Sequence, residues 1–363
     1  MKKHKELTAL LLVGVLLSGI VSAAATGAGS ASDPLIVLSW LKEHFIPGAE
    51  ESANDHINDR FDQLEDLLLN AGAVGTEMRV KRGDALSLES GSGLTLLAGD
   101  ISASANGTIL DVTTGEETAS EIEAIAVDHR YLVAEESKGT FSVTSDTAVI
   151  RLTGLYQLDL SQETDYNALA DALHAMGLFA GSTTPYGSGY NLENPPSRIE
   201  GLIMFLRLLG EEQAALEYTG SNVTFLDVPK WARPYVSYAY NEGYTKGLKA
   251  TDEGVTFGTT DTMAPKDYVT FLLRALRYEE GVDFTWKDAI DDGVALGLLT
   301  EGERTLLTEN IFLRAQIVYL SYFTLSASVA GGESTLVERL TSSGAIDASV
   351  VNTTISGIQV ARK

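Results

Sequence analysis

Asn194-Pro-Pro-Ser-Arg-Ile-Glu-Gly-Leu-Ile-Met-Phe-Leu-Arg-Leu-Leu-Gly210 is the stretch on which the fold turns, because a weaker copy of its plan recurs twice downstream. Pro195 and Pro196 forbid a helix before Ser197, and Ser197 with Glu200 three residues on has the form of a capping box, so a helix begins here. Ile199, Leu202, Ile203, Leu206 and Leu209 fall at helical spacing, and Gly210 stands where a left-handed cap ends the helix. Arg198 is the anomaly. A cation in the first turn faces the partial positive charge of the backbone, where an acid would be the stabilising choice. Two readings follow: an anion docks there, or Arg198 pairs with a neighbouring carboxylate.

Working outward, the region from about Asp165 to Ala327 repeats one order three times: a helix, a glycine-containing turn, an irregular loop and a second apolar helix. The first copy runs from Ala168 to Met176 through Gly177 and Gly181 to the Ser197 helix. The second contains Phe225-Leu-Asp227-Val, Trp231-Ala, Gly243-Tyr-Thr-Lys-Gly247, Phe257-Gly and a helix near Tyr268 to Leu276. The third passes from Trp286 through Gly297 to Leu313-Arg314-Ala315-Gln316. Such hairpins bury jointly a core that none could bury alone.

This pattern of Phe-x-Asp-Val, Trp-Ala, paired glycines and Thr-Arg-Ala-Glu resembles the S-layer homology (SLH) domain, which usually occurs in three tandem copies. The resemblance implies a bundle that binds a secondary cell-wall polymer, typically one ending in pyruvylated N-acetylmannosamine, and so anchors the chain to peptidoglycan. A pyruvyl ketal carries a carboxylate, for which an Arg in the first turn of a helix is a suitable receptor. Carried over by position, the Thr-Arg-Ala-Glu motif is Ser197-Arg198-Ile199-Glu200 in the first copy, and these residues form the best polysaccharide-binding candidate. In the third copy Arg314 and Gln316 remain. In the second the Arg is replaced by Pro265, Lys266 supplies charge without the fork geometry, and the site is expected to be weakened. Trp231 and Trp286 occupy matching positions and either line a groove or pack in the core. Gly181 and Gly247 make turns and let a ligand approach the backbone. Asp227 fixes a turn or touches ligand. Arg198→Ala is expected to weaken wall binding with the fold nearly intact, and Trp231→Ala to destabilise the bundle if its ring is core.

The rest of the chain sets bounds. It has 363 residues, with 26 Lys and Arg against 50 Asp and Glu and a formal net charge of -24, which argues against nucleic acid and anionic lipid surfaces as general partners. There is no cysteine, hence no disulfide, thiolate metal site or cysteine nucleophile. Residues 1–25 read as a signal peptide: Lys-Lys-His-Lys, the apolar run Leu7 to Val21, then Ser22-Ala-Ala-Ala. No membrane span is expected after its removal. Residues 32–158 read as two amphipathic helices followed by six to eight short strands, Ile125 to Val127 and Ala148 to Leu152 among the runs, a domain without recognisable catalytic or metal residues; His44, His56 and His129 are isolated. Arg82-Gly83-Asp84 reads as a turn.

The expected fold class is therefore α+β: a helical plus β-rich N-terminal domain, then an all-α pseudo-threefold bundle with repeats at 165–218, 222–280 and 284–327 and an extension at 333–363. The expected function is anchoring of an exported surface protein to the wall through polysaccharide, with no cofactor and no enzymatic activity. The alternatives are a self-assembling S-layer subunit and a wall-anchored hydrolase.

Overall fold

The computed structural model describes residues 46, 75–118, 120–181, 188–220, 223–332 and 334–363. The signal peptide, the two helices expected before residue 75, His44 and His56 lie outside the described residues. The chain from Ala71 to Lys363 is one compact unit.

Between Thr76 and Asp159 the chain forms eleven strands in two antiparallel sheets. One sheet has the order β1-β10-β3-β8-β5-β6: β1 Thr76–Lys81, β10 Thr147–Thr153, β3 Gly93–Ala98, β8 Arg130–Val133, β5 Ile109–Asp111, β6 Glu116–Glu117. The other has the order β11-β2-β9-β4-β7: β11 Tyr156–Asp159, β2 Ala85–Leu88, β9 Lys138–Val143, β4 Ile101–Asn106, β7 Glu121–Ile122. Alternate residues of both sheets, among them Leu86, Leu94, Leu96, Ile101, Phe141 and Ile150, fill one shared core, as the period of two along a strand requires. Ile125–Val127, expected as a strand, is instead a turn region anchored by Ile125, whose amide donates to the Ile101 carbonyl. Arg82-Gly83-Asp84 is the expected turn. Asp84 is buried and accepts from the Lys81 amide, the Lys81 ammonium (2.7 Å) and the Ser161 amide.

Ten helices follow among the described residues: α1 Tyr166–Ala175, α2 Arg198–Leu208, α3 Glu212–Leu216, α4 Arg233–Asn241, α5 Pro265–Ala275, α6 Ala289–Ala295, α7 Glu301–Glu309, α8 Arg314–Thr324, α9 Leu336–Ser342 and α10 Ala348–Gly357. The capping box closes at α2: the Ser197 amide and hydroxyl both donate to Glu200 Oε2 at 2.8 Å. Gly210 is left-handed (φ 69°), as expected of the cap. α2, α5 and α8 are each 11 residues long and pack on one another around Leu202, Phe205, Leu272, Val269, Ile317 and Val318, all buried. The first helices of the three repeats, α1, α4 and α6, end in the same way, on left-handed glycines Gly177, Gly243 and Gly297.

The expected class, α+β with an all-α pseudo-threefold bundle, is corrected by two findings. The helical region carries strands of its own: β12 Lys249–Thr251 pairs antiparallel with β13 Gly254–Thr256, and isolated bridges join Ser197 to Thr262 and Phe225 to Val255. Thr251, Val255 and Thr256 are β-branched and flank an Asp-Glu-Gly turn, a pattern that favours a hairpin over a loop. The β-rich region is also tied to the helices within the same compact unit. Arg79 makes a bidentate contact to Asp171 of α1 (2.9 and 3.0 Å), Thr147 donates to Glu193, and Gln316 of α8 donates to Asp146. The protein is thus mixed, antiparallel sheets over residues 76–159 and then helices with local β pairing.

Candidate functional site

Three segments meet at a cavity of about 200 Å³: the first turn of α2, the Thr245–Leu248 turn after α4, and the face of α5 that carries Asp267, Thr270, Phe271 and Arg274, with Trp286 forming a further wall. Arg198, Gly247 and Trp286, singled out from the sequence, are brought together here. Asp267, Lys246 and Arg274 join them and were not foreseen.

Arg198 is 6 % exposed, and its Nη1 lies 2.7 Å from Asp267 Oδ2. Nη1 is thereby held on the Asp267 carboxylate, whereas the buried Nε has no hydrogen-bond partner among the described residues. The guanidinium sits 5.2 Å from the ring centroid of Phe257 and 6.0 Å from that of Phe271. Burial pulls its pKa below the usual arginine range, with the Asp267 charge opposing. Trp286 orients the acid by donating from Nε1 to Asp267 Oδ1 at 2.7 Å, and the Lys266 ammonium lies 3.8 Å from the Trp286 ring centroid. Lys266 therefore covers the indole and does not replace the missing Arg.

On the far wall Arg274 donates to the Tyr244 carbonyl (2.6 Å) and to Glu280 (2.7 Å), which Lys246 also contacts (2.6 Å). Burial raises the Glu280 pKa, but its two cationic partners outweigh burial and hold it below the usual carboxylate value. Lys246, Arg274 and Glu280 also line an adjoining cavity of about 300 Å³. Arg198, Lys246 and Arg274 against Asp267 and Glu280 leave a local excess of positive charge on a chain whose net charge is -24.

Gly247 (φ 73°) has its Cα against the hairpin, and a Cβ there would meet Val255 Cγ1 at 2.3 Å. Gly181 (φ 66°) makes the matching turn beside α1, where a Cβ would meet Tyr190 at 2.8 Å. Asp227 fixes the loop below the cavity by accepting from the Phe257 and Gly258 amides (2.7 and 2.6 Å). Trp231 is 58 % exposed, so it is not core. Trp286 is 39 % exposed and engages Asp267 as described.

The motif Ser197-Arg198-Ile199-Glu200 does not form one site. Arg198 reaches forward to Asp267, which stands at the motif's acid position on α5, whereas Glu200 receives Arg314, the motif's cation on α8 (2.8 Å). Burial raises the Glu200 pKa, but the Ser197 donors and Arg314 outweigh it and the net shift is downward. Each acid thus serves the Arg of another helix. The third pairing is absent as a pair: Pro265 stands where the Arg would be, and its acid counterpart is the amide Gln316, turned to Asp146 at 2.7 Å. The loss of a cation at one position and of an anion at the position facing it keeps the buried ring of charges balanced. Arg314 is 3 % exposed, and its Nε also has no hydrogen-bond partner.

Among the described residues no group of three or more His, Asp and Glu is placed to hold a metal ion, and no helix is long and apolar enough to cross a membrane. His129 pairs with Asp111 at 2.7 Å on the β-rich side, away from these residues. Scanned against models of known protein families, the chain matches none, and no curated protein is similar to it.

Proposed function

We propose that this chain is an exported cell-surface protein that binds an anionic wall polysaccharide through the cavity between Arg198, Gly247 and Trp286, and thereby holds itself to the peptidoglycan. The observation that carries the reading is Arg198: an almost fully buried guanidinium, paired with Asp267 through Nη1 but with Nε unpartnered, lining a cavity next to an indole and a close-approach glycine. A buried donor without an acceptor costs about 1–3 kcal/mol, so its retention in a ligand pocket is best accounted for by an acceptor that arrives with the ligand. A ketal carboxylate fits the guanidinium and its free Nε, and a sugar ring fits the exposed part of the Trp286 face. The role is binding, with no bond made or broken. Pyruvylated N-acetylmannosamine, implied by the SLH resemblance, is the proposed terminal residue.

Purified chain is incubated with cell-wall sacculi before and after hydrofluoric acid strips the secondary polymer. Retention on intact walls and its loss on stripped walls is the expected result. Equal retention on both would place the binding on peptidoglycan and remove the polymer from the account.

A further inference from the structure

Beyond α10 the chain docks back on the bundle. Ile358 and Val360 pack on the helical core, and Arg362 and Lys363 lie across α7 and α8. Arg362 Nε and Nη2 contact the two oxygens of Glu303 (2.7 and 2.8 Å), and Nη2 also donates to the Leu298 carbonyl. Glu303 is fully buried. The Lys363 amide donates to the Tyr319 hydroxyl (2.7 Å), and its carbonyl accepts from Thr300 (2.5 Å). The Arg362 guanidinium lies 5.6 Å from the Phe323 ring centroid.

Four of the residues touched, Thr300, Gly302, Tyr319 and Phe323, match by position the walls of the Arg198 cavity. That cavity is lined by the turn two to five residues after the left-handed Gly243, and by Thr270 and Arg274 of α5. Two to five residues after the left-handed Gly297 stand Leu299, Thr300, Glu301 and Gly302, and the positions on α8 matching Thr270 and Arg274 are Tyr319 and Phe323. The closing segment touches Thr300, Gly302, Tyr319 and Phe323. This is also the groove in which Pro265 replaces the Arg, so it has no cation for an anionic sugar.

We infer that this third groove is a peptide-binding site for a basic Arg-Lys segment, and that the chain's own residues 358–363 occupy it intramolecularly, latched by Arg362 on Glu303. The groove is thereby closed to polysaccharide. Two features suit a cationic peptide and no anion: the buried carboxylate of Glu303, and backbone acceptor and hydroxyl partners for a main chain. The inference takes from the proposed polysaccharide site only the comparison of walls, and its test does not involve polymer.

A Cβ on Gly302 would lie 2.7 Å from the Lys363 carbonyl carbon, so a cysteine there would unseat the segment, and the contact is tested by a double-mutant cycle rather than by a disulfide. Melting of the full chain carrying Arg362→Gln, Glu303→Gln and their combination is measured by thermal and urea denaturation. Losses smaller in combination than their sum support the latch, and simple additivity overturns it.

Discussion

Replacing Arg198 by methionine keeps most of the aliphatic stem and deletes the guanidinium, leaving Asp267 buried without its cation. The two side chains are 7 % and 10 % exposed. Breaking a buried pair by removing one partner costs about 3–5 kcal/mol, because the remaining charge is stranded in low dielectric. Two details pull the figure to the lower end. Asp267 keeps its hydrogen bond from Trp286, and the variant no longer buries the unpartnered Arg198 Nε. A loss of about 3 kcal/mol is therefore expected, which lowers the melting temperature by roughly 6–12 °C for a compact unit of this size. The assay is urea and thermal denaturation of Arg198→Met, Asp267→Leu and the double variant. The double variant should lose less than the sum of the singles by about 1.5 kcal/mol or more, since the apolar pair strands no charge. If Arg198→Met melts with the wild type, or if the two changes add, the buried pair does not exist as described. The sequence alone suggested the opposite, that Arg198 could be removed with little harm to the fold; burial against Phe257 and Phe271 is what changes the expectation.

Four further outcomes follow from the geometry. Asp227→Ala removes the acceptor of two backbone amides and should destabilise by about 1–3 kcal/mol, measured by urea titration. Gly247→Ala forces a Cβ into Val255 at a left-handed φ and should cost about 1–3 kcal/mol, whereas Gly243→Ala, with open space around its Cβ, should cost only the smaller conformational part. Trp231→Ala should leave stability within about 0.5 kcal/mol of wild type, because the ring is mostly solvent-exposed, while Trp286→Ala should lower both stability and polymer binding. The carboxyls of Glu200 and Glu280 titrate below the usual range in the fold, so their stabilisation is complete above the unfolded value of about 4.3 and is lost as pH falls through the lower folded values. Melting temperature should fall as the pH drops below about 5, with a shallower fall in Glu200→Gln. Burial raises the Glu211 carboxyl and acts in the other direction, its contribution fading as pH rises through the elevated value.

What the sequence conveyed depended on whether the deciding interaction was local. The α2 helix was legible to the residue at both ends, because the prolines, the capping box and Gly210 act within a few positions of the chain. Strands with branched or large apolar residues, such as Ala148 to Leu152, were legible for the same reason. β4 was not, because Ile-Ser-Ala-Ser-Ala-Asn carries little hydrophobic signal and is made a strand by pairing with β9 on one side and β7 on the other. β11 was missed because its residues are mostly exposed and only its pairing with β2 defines it. At the site, the residue types were legible and their grouping was not. The motif reads as one unit along the chain, but Arg198 and Glu200 diverge to different helices, and only the packing of α2, α5 and α8 tells which acid meets which Arg. One signal was present in the sequence: the Arg-to-Pro change at residue 265 and the acid-to-amide change at residue 316 are complementary losses, as expected if those positions face each other. The docked segment left little trace, since nothing local in its sequence tells that Glu303, 59 positions earlier, is buried beneath Arg362.

Recognition of an anionic wall-sugar carboxylate by the Arg198 cavity, as proposed above, is open to direct test. The most direct measurement is the equilibrium affinity of the purified chain for a pyruvylated N-acetylmannosamine glycoside and for the same glycoside without the pyruvyl ketal, by titration calorimetry. Saturable binding of the first, weakened about tenfold or more without the ketal and weakened again by Trp286→Ala, is the predicted result. Equal affinity for the two glycosides, or no binding of either by folded protein, would contradict it.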